Sequence, residues 1–416
     1  MKKVLILSYF YPPSVFVGGQ RTAFWAKELH RFGYYPIIVT RVWNKAQTDL
    51  TDAIQDNELR VEKFDHYEVH YLPYKRTLRD KIANKQGFKY FQKALTLWEL
   101  IMSNYSTSVI PYNNMLKYCD TLLSKEDIPA VIASGRPFQS FYFGYKLRQK
   151  HDIKWIPDYR DEWNSHYREQ SQGTLQKFIQ KLETKSEKKW TSNADHFVSV
   201  SQLWVDRISA LTNTNGSVVK NGFDAIYEKT KRSDTDLKVL YAGTLYPYQD
   251  ISMITDSIAS INDPRLKFYF IGSCYAEESR LQLEALSEKH PENFQILNKV
   301  PKSEFEKLIS EMDIGILSSY KYTDGWLPVK IYDYYAHGLE ILLCPSDNDL
   351  MAQFIQDTES GAIVENQLAC ESYLKDRLKS KSDGTFDAPR NYKLGKEYHR
   401  LYQTEMLAKT LDSLVK

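Results

Sequence analysis

The chain is poor in the residues that mark unusual chemistry or architecture. Its four cysteines (Cys119, Cys274, Cys344 and Cys370) stand far apart in 416 residues with no C-x-x-C pair, so neither a disulfide framework nor a zinc site is indicated. They read as small buried hydrophobes. Net charge is nearly absent, +2 from 55 basic and 53 acidic residues, so there is no global footprint for nucleic acid and any basic surface must be local. Long apolar runs are missing too. Met1-Lys2-Lys3 leads into only a short apolar stretch before Pro12-Pro13, too short for a signal-peptide core or a bilayer span, which points to a cytoplasmic protein. Runs of Gly and Pro are also scarce. With 42% hydrophobic residues, a chain of this length suits two folded domains, each burying a core, rather than disorder.

What is present is a series of short, unbroken apolar runs that end in loops and alternate with helical stretches. Residues 4–7 run into a loop rich in aromatics, Pro and Gly, then a helical pattern over 22–32 and a second apolar run at 36–40, a βαβ opening. Runs at 131–133 and 155–157 flank a helix over 138–150, and 196–200 forms a further strand. The pattern restarts at 238–242, turns at Gly243-Thr244, and continues through 267–271, 294–297, 314–317 and 341–344 with helices between. Unbroken rather than alternating runs imply parallel sheets covered on both faces. The expected fold is therefore α/β, with two Rossmann-like doubly wound domains over 1–222 and 223–388. A carboxyl-terminal helix in 389–416 returns to the first domain, the join lies near Asn221-Gly222-Phe223-Asp224, and the charged stretch 228–236 is an exposed linker. Such sheets bind ligands outside the carboxyl ends of their strands, so two of them face to face would form a cleft there.

The loops after the strands hold the candidate functional residues. Gly18-Gly19 precede a helix, where backbone N–H groups and the helix dipole favour a phosphate; a plain glycine turn is the alternative. No G-x-G-x-x-G or Walker lysine occurs, which disfavours dehydrogenases and P-loop NTPases. Arg136 follows one strand, and Asp158-Tyr159-Arg160-Asp161 closes the next. Arg beside carboxylates at a strand end is costly unless the charges pair or meet a ligand, so either a structural network or an anion and hydroxyl site is implied. Lys330 and Asp333 share one helix face, fit to meet a diphosphate and a ribose hydroxyl, or simply to form a surface pair.

Taken in order, these pieces resemble glycosyltransferase family 4, and within it the bacterial branch that builds surface polysaccharides and lipopolysaccharide. The resemblance rests on Pro12-Pro13 with Gly18-Gly19, Ser134-Gly135-Arg136-Pro137, Asp158-Tyr159-Arg160-Asp161 with Trp163, and Glu187 with Ala194-Asp195 before Val198-Ser199-Val200-Ser201. It continues through Asn221-Gly222-Phe223-Asp224, Gly243-Thr244-Leu245, and Lys330 with Asp333-Tyr334 and Gly338, and so spans nearly the whole chain. It implies a GT-B fold, a retaining reaction, no required metal or other cofactor, and a nucleotide-diphosphate sugar held by the carboxyl-terminal domain. Asp333 would take the ribose and Lys330 the diphosphate, with Gly243, Thr244, Gly272 and the backbone at Val300 around the nucleotide and Gly18 and Gly19 capping it from the other domain. Arg160, Asp161 and Arg136 would serve catalysis.

Three departures stand out. Gly325 occupies the place of a Glu eight residues before the ribose carboxylate, with Asp324 one place off. The loop 245–250 lacks the usual cation, which Lys330, Arg136 or Lys220 would have to replace. Arg160 stands where many relatives carry His. Residues 75–93 are basic, with Phe88, Tyr90 and Phe91 interleaved, which suits peripheral contact with anionic lipid at the inner face of the membrane and a glycan or lipid-linked acceptor; a solvated helix is the alternative. No nucleic-acid reader motif accompanies that stretch. A non-catalytic binding module on the same fold is the competing class, and an epimerase is a further one.

Overall fold

The computed structural model describes all residues except 15, 44–57, 83–86, 165–172, 230–233, 247–248, 275, 321–322, 390–391 and 416. The chain divides into two compact units, one of residues 1–221 with 400–416 and the other of residues 222–399.

The first unit is built on eight strands: β1 (Lys2–Ser8), β2 (Tyr34–Arg41), β3 (Arg60–Lys63), β4 (Glu68–Leu72), β5 (Ala130–Ser134), β6 (Lys154–Tyr159), β7 (Phe197–Ser199) and β8 (Gly216–Val218). Their order is β3-β4-β2-β1-β5-β6-β7-β8, parallel throughout except for the antiparallel edge strand β3. Both faces are buried, as unbroken runs require: Leu5, Ile37, Val39 and Val131 point one way, while Val4, Ile6, Ile38, Ile132 and Ile156 point the other. Onto the second of these faces pack Trp25 and Ala26 from the helix Gln20–Glu28 and Leu407 and Leu411 from the terminal helix Arg400–Leu414. The Tyr34 hydroxyl donates to Asp412 at 2.7 Å and Lys2 Nζ to the Val415 carbonyl at 2.8 Å, so the chain's last helix is a structural member of this unit.

The second unit has six parallel strands: β9 (Leu237–Ala242), β10 (Leu266–Ile271), β11 (Phe294–Leu297), β12 (Ile314–Leu317), β13 (Glu340–Leu343) and β14 (Gly361–Ile363), ordered β11-β10-β9-β12-β13-β14. Period-two alternation divides one run between two cores. Val239 and Tyr241 join Ile254, Ile258 and Leu374 on one side, whereas Leu240 and Ala242 join Ile331, Tyr334, Tyr335 and Phe354 on the other. Polar residues set the helix ends: Asn366 accepts from Ala369 N–H at 3.0 Å to start the helix Gln367–Ser382, and Asn213 at φ 56° ends Gln202–Thr212.

In each unit the strand order reverses once, between β1 and β5 in the first and between β9 and β12 in the second. A crevice opens at the carboxyl ends of the strands at such a reversal, which singles out the segments after Ser8 and Ser134, and after Ala242 and Leu317.

Some expectations change. Strands β3 and β4 were not legible because their polar residues break the apolar run, and β8 and β14 have only three residues each. The helical pattern at 22–32 is an α-helix to Glu28 followed by a 3-10 turn. Residues 230–233 of the expected linker lie outside the described residues, but Lys229 beside them is held on the second unit, donating to the Met312 carbonyl at 2.5 Å. Residues 389–399, grouped by sequence with the last helix, belong to the second unit, where Tyr398 is buried against Tyr332 and Phe354. Among the described residues, no helix is long and apolar enough to cross a membrane.

Candidate functional site

In the second unit the candidate residues gather at the strand reversal. Gly243 and Gly272 follow β9 and β10 and continue the ladder, their N–H groups donating to Ile271 and Leu297 carbonyls at 2.8 and 2.9 Å. The chain then turns sharply. Gly243 sits at φ +82° with open space where a side chain would be, so backbone conformation rather than crowding calls for glycine. Ser273 Oγ donates to the Gly243 carbonyl at 3.1 Å, and the Thr244 carbonyl accepts from the Tyr241 hydroxyl at 3.3 Å. Val300, half-buried just beyond β11, packs on the same core as Ile271.

The helix Val329–Ala336 aims its first turn at this point, and one residue in β12 fixes how closely it docks. A Cβ on Gly315 would lie 2.4 Å from Tyr334 Cδ2, so only glycine lets Tyr334 lie across the strand, where its hydroxyl accepts the Ala242 N–H at 2.9 Å. Lys330 is thereby carried over the Tyr241 ring, with Nζ 3.7 Å from the ring centre. As a residue Lys330 is half-buried, yet its Nζ is sealed from solvent and has no hydrogen-bond partner. Burial pushes its pKa down from 10.5 to about 7. The surface-pair alternative fails for Lys330, because no carboxylate among the described residues pairs with it; half-buried Asp333 follows one turn later. Gly325, at φ +65°, donates its N–H to Asp349 at the start of the helix Leu350–Thr358.

The first unit groups its own candidates. Gly18 and Gly19 form a 3-10 turn leading into the helix Gln20–Glu28. A Cβ on Gly18 would sit 1.7 Å from Arg160 Nη1, so a side chain there would displace the Arg160 guanidinium. Gly19 backs onto the Phe10 carbonyl. Asp161, about one-third exposed, lies between two cations, with Oδ2 3.6 Å from Arg160 Nη2 and 3.8 Å from Arg136 Nε. These contacts are long, and Arg160 Nε is buried without an acceptor, so the group keeps capacity for a ligand.

Behind it lies a pair of which the sequence reading named only Asp158. Asp158, fully buried, meets Arg21 Nη2 at 3.1 Å and accepts from Ser134 Oγ at 2.8 Å. Burial raises its pKa, while Arg21 and Ser134 oppose that rise. Its carbonyl accepts the Arg160 N–H at 3.0 Å, so this buried pair anchors the loop that presents Arg160 and Asp161. Lys220 is engaged through its backbone, its carbonyl accepting from Arg21 Nη1 at 3.0 Å and its N–H donating to Gln403.

The basic stretch 75–93 includes helices Leu78–Ile82 and Lys89–Met102. Tyr90 is 86% exposed, and Phe88, Phe91 and Trp98 are about half exposed. Arg79 is drawn inward by Asp80 and Glu99. Lys85 and the Lys89 side chain lie outside the described residues. No group of three or more His, Cys, Asp or Glu side chains able to hold a metal occurs among the described residues.

No curated protein matches the chain. Residues 223–384, nearly all of the second unit, match the family model described as glycosyl transferases group 1. HepE of Anabaena, solved in complex with UDP-glucose, is 11% identical, with 99% of this chain and 100% of that one covered at a TM-score of 0.62. An alpha,alpha-trehalose-phosphate synthase (UDP-forming) from Burkholderia vietnamiensis is 10% identical over 99% and 97% of the two chains, with a TM-score of 0.63. A glycosyltransferase from Rickettsia africae is 12% identical over 100% and 99%, with a TM-score of 0.59. At such identities the likeness is one of fold: two parallel-sheet, Rossmann-like units of the GT-B type.

Proposed function

We propose that the chain is a retaining glycosyltransferase of family 4 that moves a hexose from a nucleoside diphosphate, UDP in the first instance, to a glycan or lipid-linked acceptor. The setting is bacterial surface-polysaccharide or lipopolysaccharide synthesis, at the inner face of the membrane. The observation that carries this reading is the unpaired, buried amine of Lys330 at the strand reversal of the unit matching a glycosyltransferase model. A diphosphate is the chemistry that relieves it, and the first turn of the helix Val329–Ala336 adds its dipole to the attraction. Asp333, one turn on, takes the ribose, with Gly243, Thr244, Gly272 and Val300 framing the nucleotide.

In the reaction, the acceptor hydroxyl attacks the anomeric carbon while the bond from that carbon to the diphosphate breaks, and the leaving phosphate oxygen takes the hydroxyl proton. Negative charge grows on the diphosphate, where Lys330 stabilises it without a metal. In the first unit, Asp161 orients the acceptor hydroxyl between Arg136 and Arg160. The exposed aromatics of Lys89–Met102, beside Lys75, Arg76, Lys81 and Lys93, form the membrane-facing surface.

Thermal shift with UDP-, GDP- and dTDP-sugars in the absence of metal, followed by acceptor-dependent nucleotide release, tests the proposal. A selective shift followed by release supports it; no shift with any nucleotide overturns it. The second reading, a binding module without turnover, is favoured by Gly325 in place of a carboxylate and by the cation-free loop 245–250, of which residues 247–248 lie outside the described residues. Binding without release would select it.

A further inference from the structure

The first unit holds another guanidinium that the preceding roles leave unused. Arg41 ends β2, at the same sheet edge as the segment after β1. It is 0% exposed and boxed by rings, its guanidinium carbon 4.1 Å from the Trp43 ring centre, 4.0 Å from Tyr74 and 5.4 Å from Tyr9. Nη1 donates to the Tyr9 hydroxyl at 2.7 Å and Nε to the Val42 carbonyl at 3.3 Å. Nη2 is buried without a partner, and no carboxylate pairs with Arg41 among the described residues. Asp80, in the same neighbourhood, is occupied by the Tyr74 hydroxyl, the Thr77 N–H and Arg79. Rings stabilise a cation only partly, so a dry guanidinium with a free N–H edge remains a strong site for an anion.

Its surroundings suit a sugar. Phe10 stacks on Trp43, with centroids 5.5 Å apart and planes 27° apart, and Phe16 packs against both at 5.3 and 5.8 Å. Phe10 and Phe16 are half-buried, so this side of the cluster meets solvent. Contacts run from Arg41 through Trp43 and Phe10 to Arg160, whose guanidinium carbon is 5.8 Å from the Phe10 ring.

We propose that Arg41, Phe10 and Phe16 form an acceptor subsite selective for a sugar bearing an anionic group, a carboxylate or a phosphate ester, with the ring face on the phenyl groups and the anion on Nη2. The inference rests on the transferase reading and specifies its acceptor. A guanidinium fork fits either oxyanion, and the aromatic rings beside it offer a face for a sugar ring.

Saturation-transfer NMR on the full chain, with and without UDP, compares methyl glucuronide, glucose 6-phosphate and methyl glucoside, with inorganic phosphate as competitor. One anionic sugar is expected to bind about tenfold better than the glucoside, and Arg41→Gln to erase that preference while UDP binding persists. The carboxylate and phosphate arms identify the source of the anion. Equal binding of neutral and anionic sugars, or a preference that survives Arg41→Gln, overturns the proposal. Should that variant not fold, Arg41→Lys keeps the charge but not the fork, and an undiminished preference in it overturns the proposal equally. Failure of the wild-type chain to bind any nucleotide refutes the transferase reading instead, since the anion preference is measured separately in nucleotide-free samples.

Discussion

Replacing Lys330 by methionine is expected to stabilise the free protein at neutral pH and to abolish nucleotide binding. Its folded pKa, pushed by burial from 10.5 down to about 7, lies below its unfolded value, so between those limits the unfolded chain binds more protons. The resulting cost to stability is therefore full below about pH 7 and fades as pH rises toward 10.5. The gap corresponds to about 5 kcal/mol at most, and about 4 kcal/mol at pH 7.5, where the folded amine is already mostly neutral. The half-exposed stem lowers this further, so Lys330→Met should gain about 2–3 kcal/mol at pH 7.5 and flatten the rise in wild-type stability between pH 7 and 10. Urea midpoints across that range read the effect. A bound diphosphate restores the charge, so at pH 8 nucleotide-sugar binding should take up about 0.9 proton, measured by calorimetry in buffers of different ionisation enthalpy. Binding without proton uptake, together with normal affinity in Lys330→Met, would refute the assignment.

Arg160→Ala should lower turnover by about 10²-fold, and Gly18→Ala should act in the same direction because its Cβ displaces the Arg160 guanidinium; steady-state rates check both. Asp158→Ala removes the buried carboxylate that offsets the Arg21 charge, for an expected loss of about 3–5 kcal/mol in urea unfolding. Burial pushes Glu187 up from 4.5 to about 7, so its folded form holds a proton that the unfolded form releases and stability falls as pH rises through that window. Glu187→Gln should remove that fall, seen as a flatter thermal midpoint between pH 4.5 and 7. Flotation with anionic vesicles should recover the wild-type chain, and Tyr90→Ala with Trp98→Ala should weaken recovery about tenfold; no flotation of wild type would refute membrane contact.

Why the sequence conveyed much of the fold is clear from β1, β5, β9 and β12. Each contains an unbroken apolar run, as a strand covered on both faces requires, and the glycine turns after β9 and β10 marked the carboxyl ends of those strands. The edge strands were lost because pairing on one side tolerates polar and short segments, as Arg60–Lys63 and Gly361–Ile363 do. Arg41 carried a signal that went unused: a charge directly ending the apolar run 36–40 and followed by Val42-Trp43.

Local order along the chain thus determined the two parallel-sheet units and the loops that bear charge. Tertiary structure decided what those charges do. Lys330 and Asp333 look like a surface pair at three-residue spacing, but Gly315 lets the helix settle until Lys330 lies on Tyr241, 89 positions earlier, with its Nζ sealed from solvent. Arg21 meets Asp158, and Tyr9, Trp43 and Tyr74 close on Arg41, through separations that no local pattern records. Desolvation depends on every chain segment that converges on a charge, which is why spacing could nominate Lys330 but not say that its Nζ would be left without a partner.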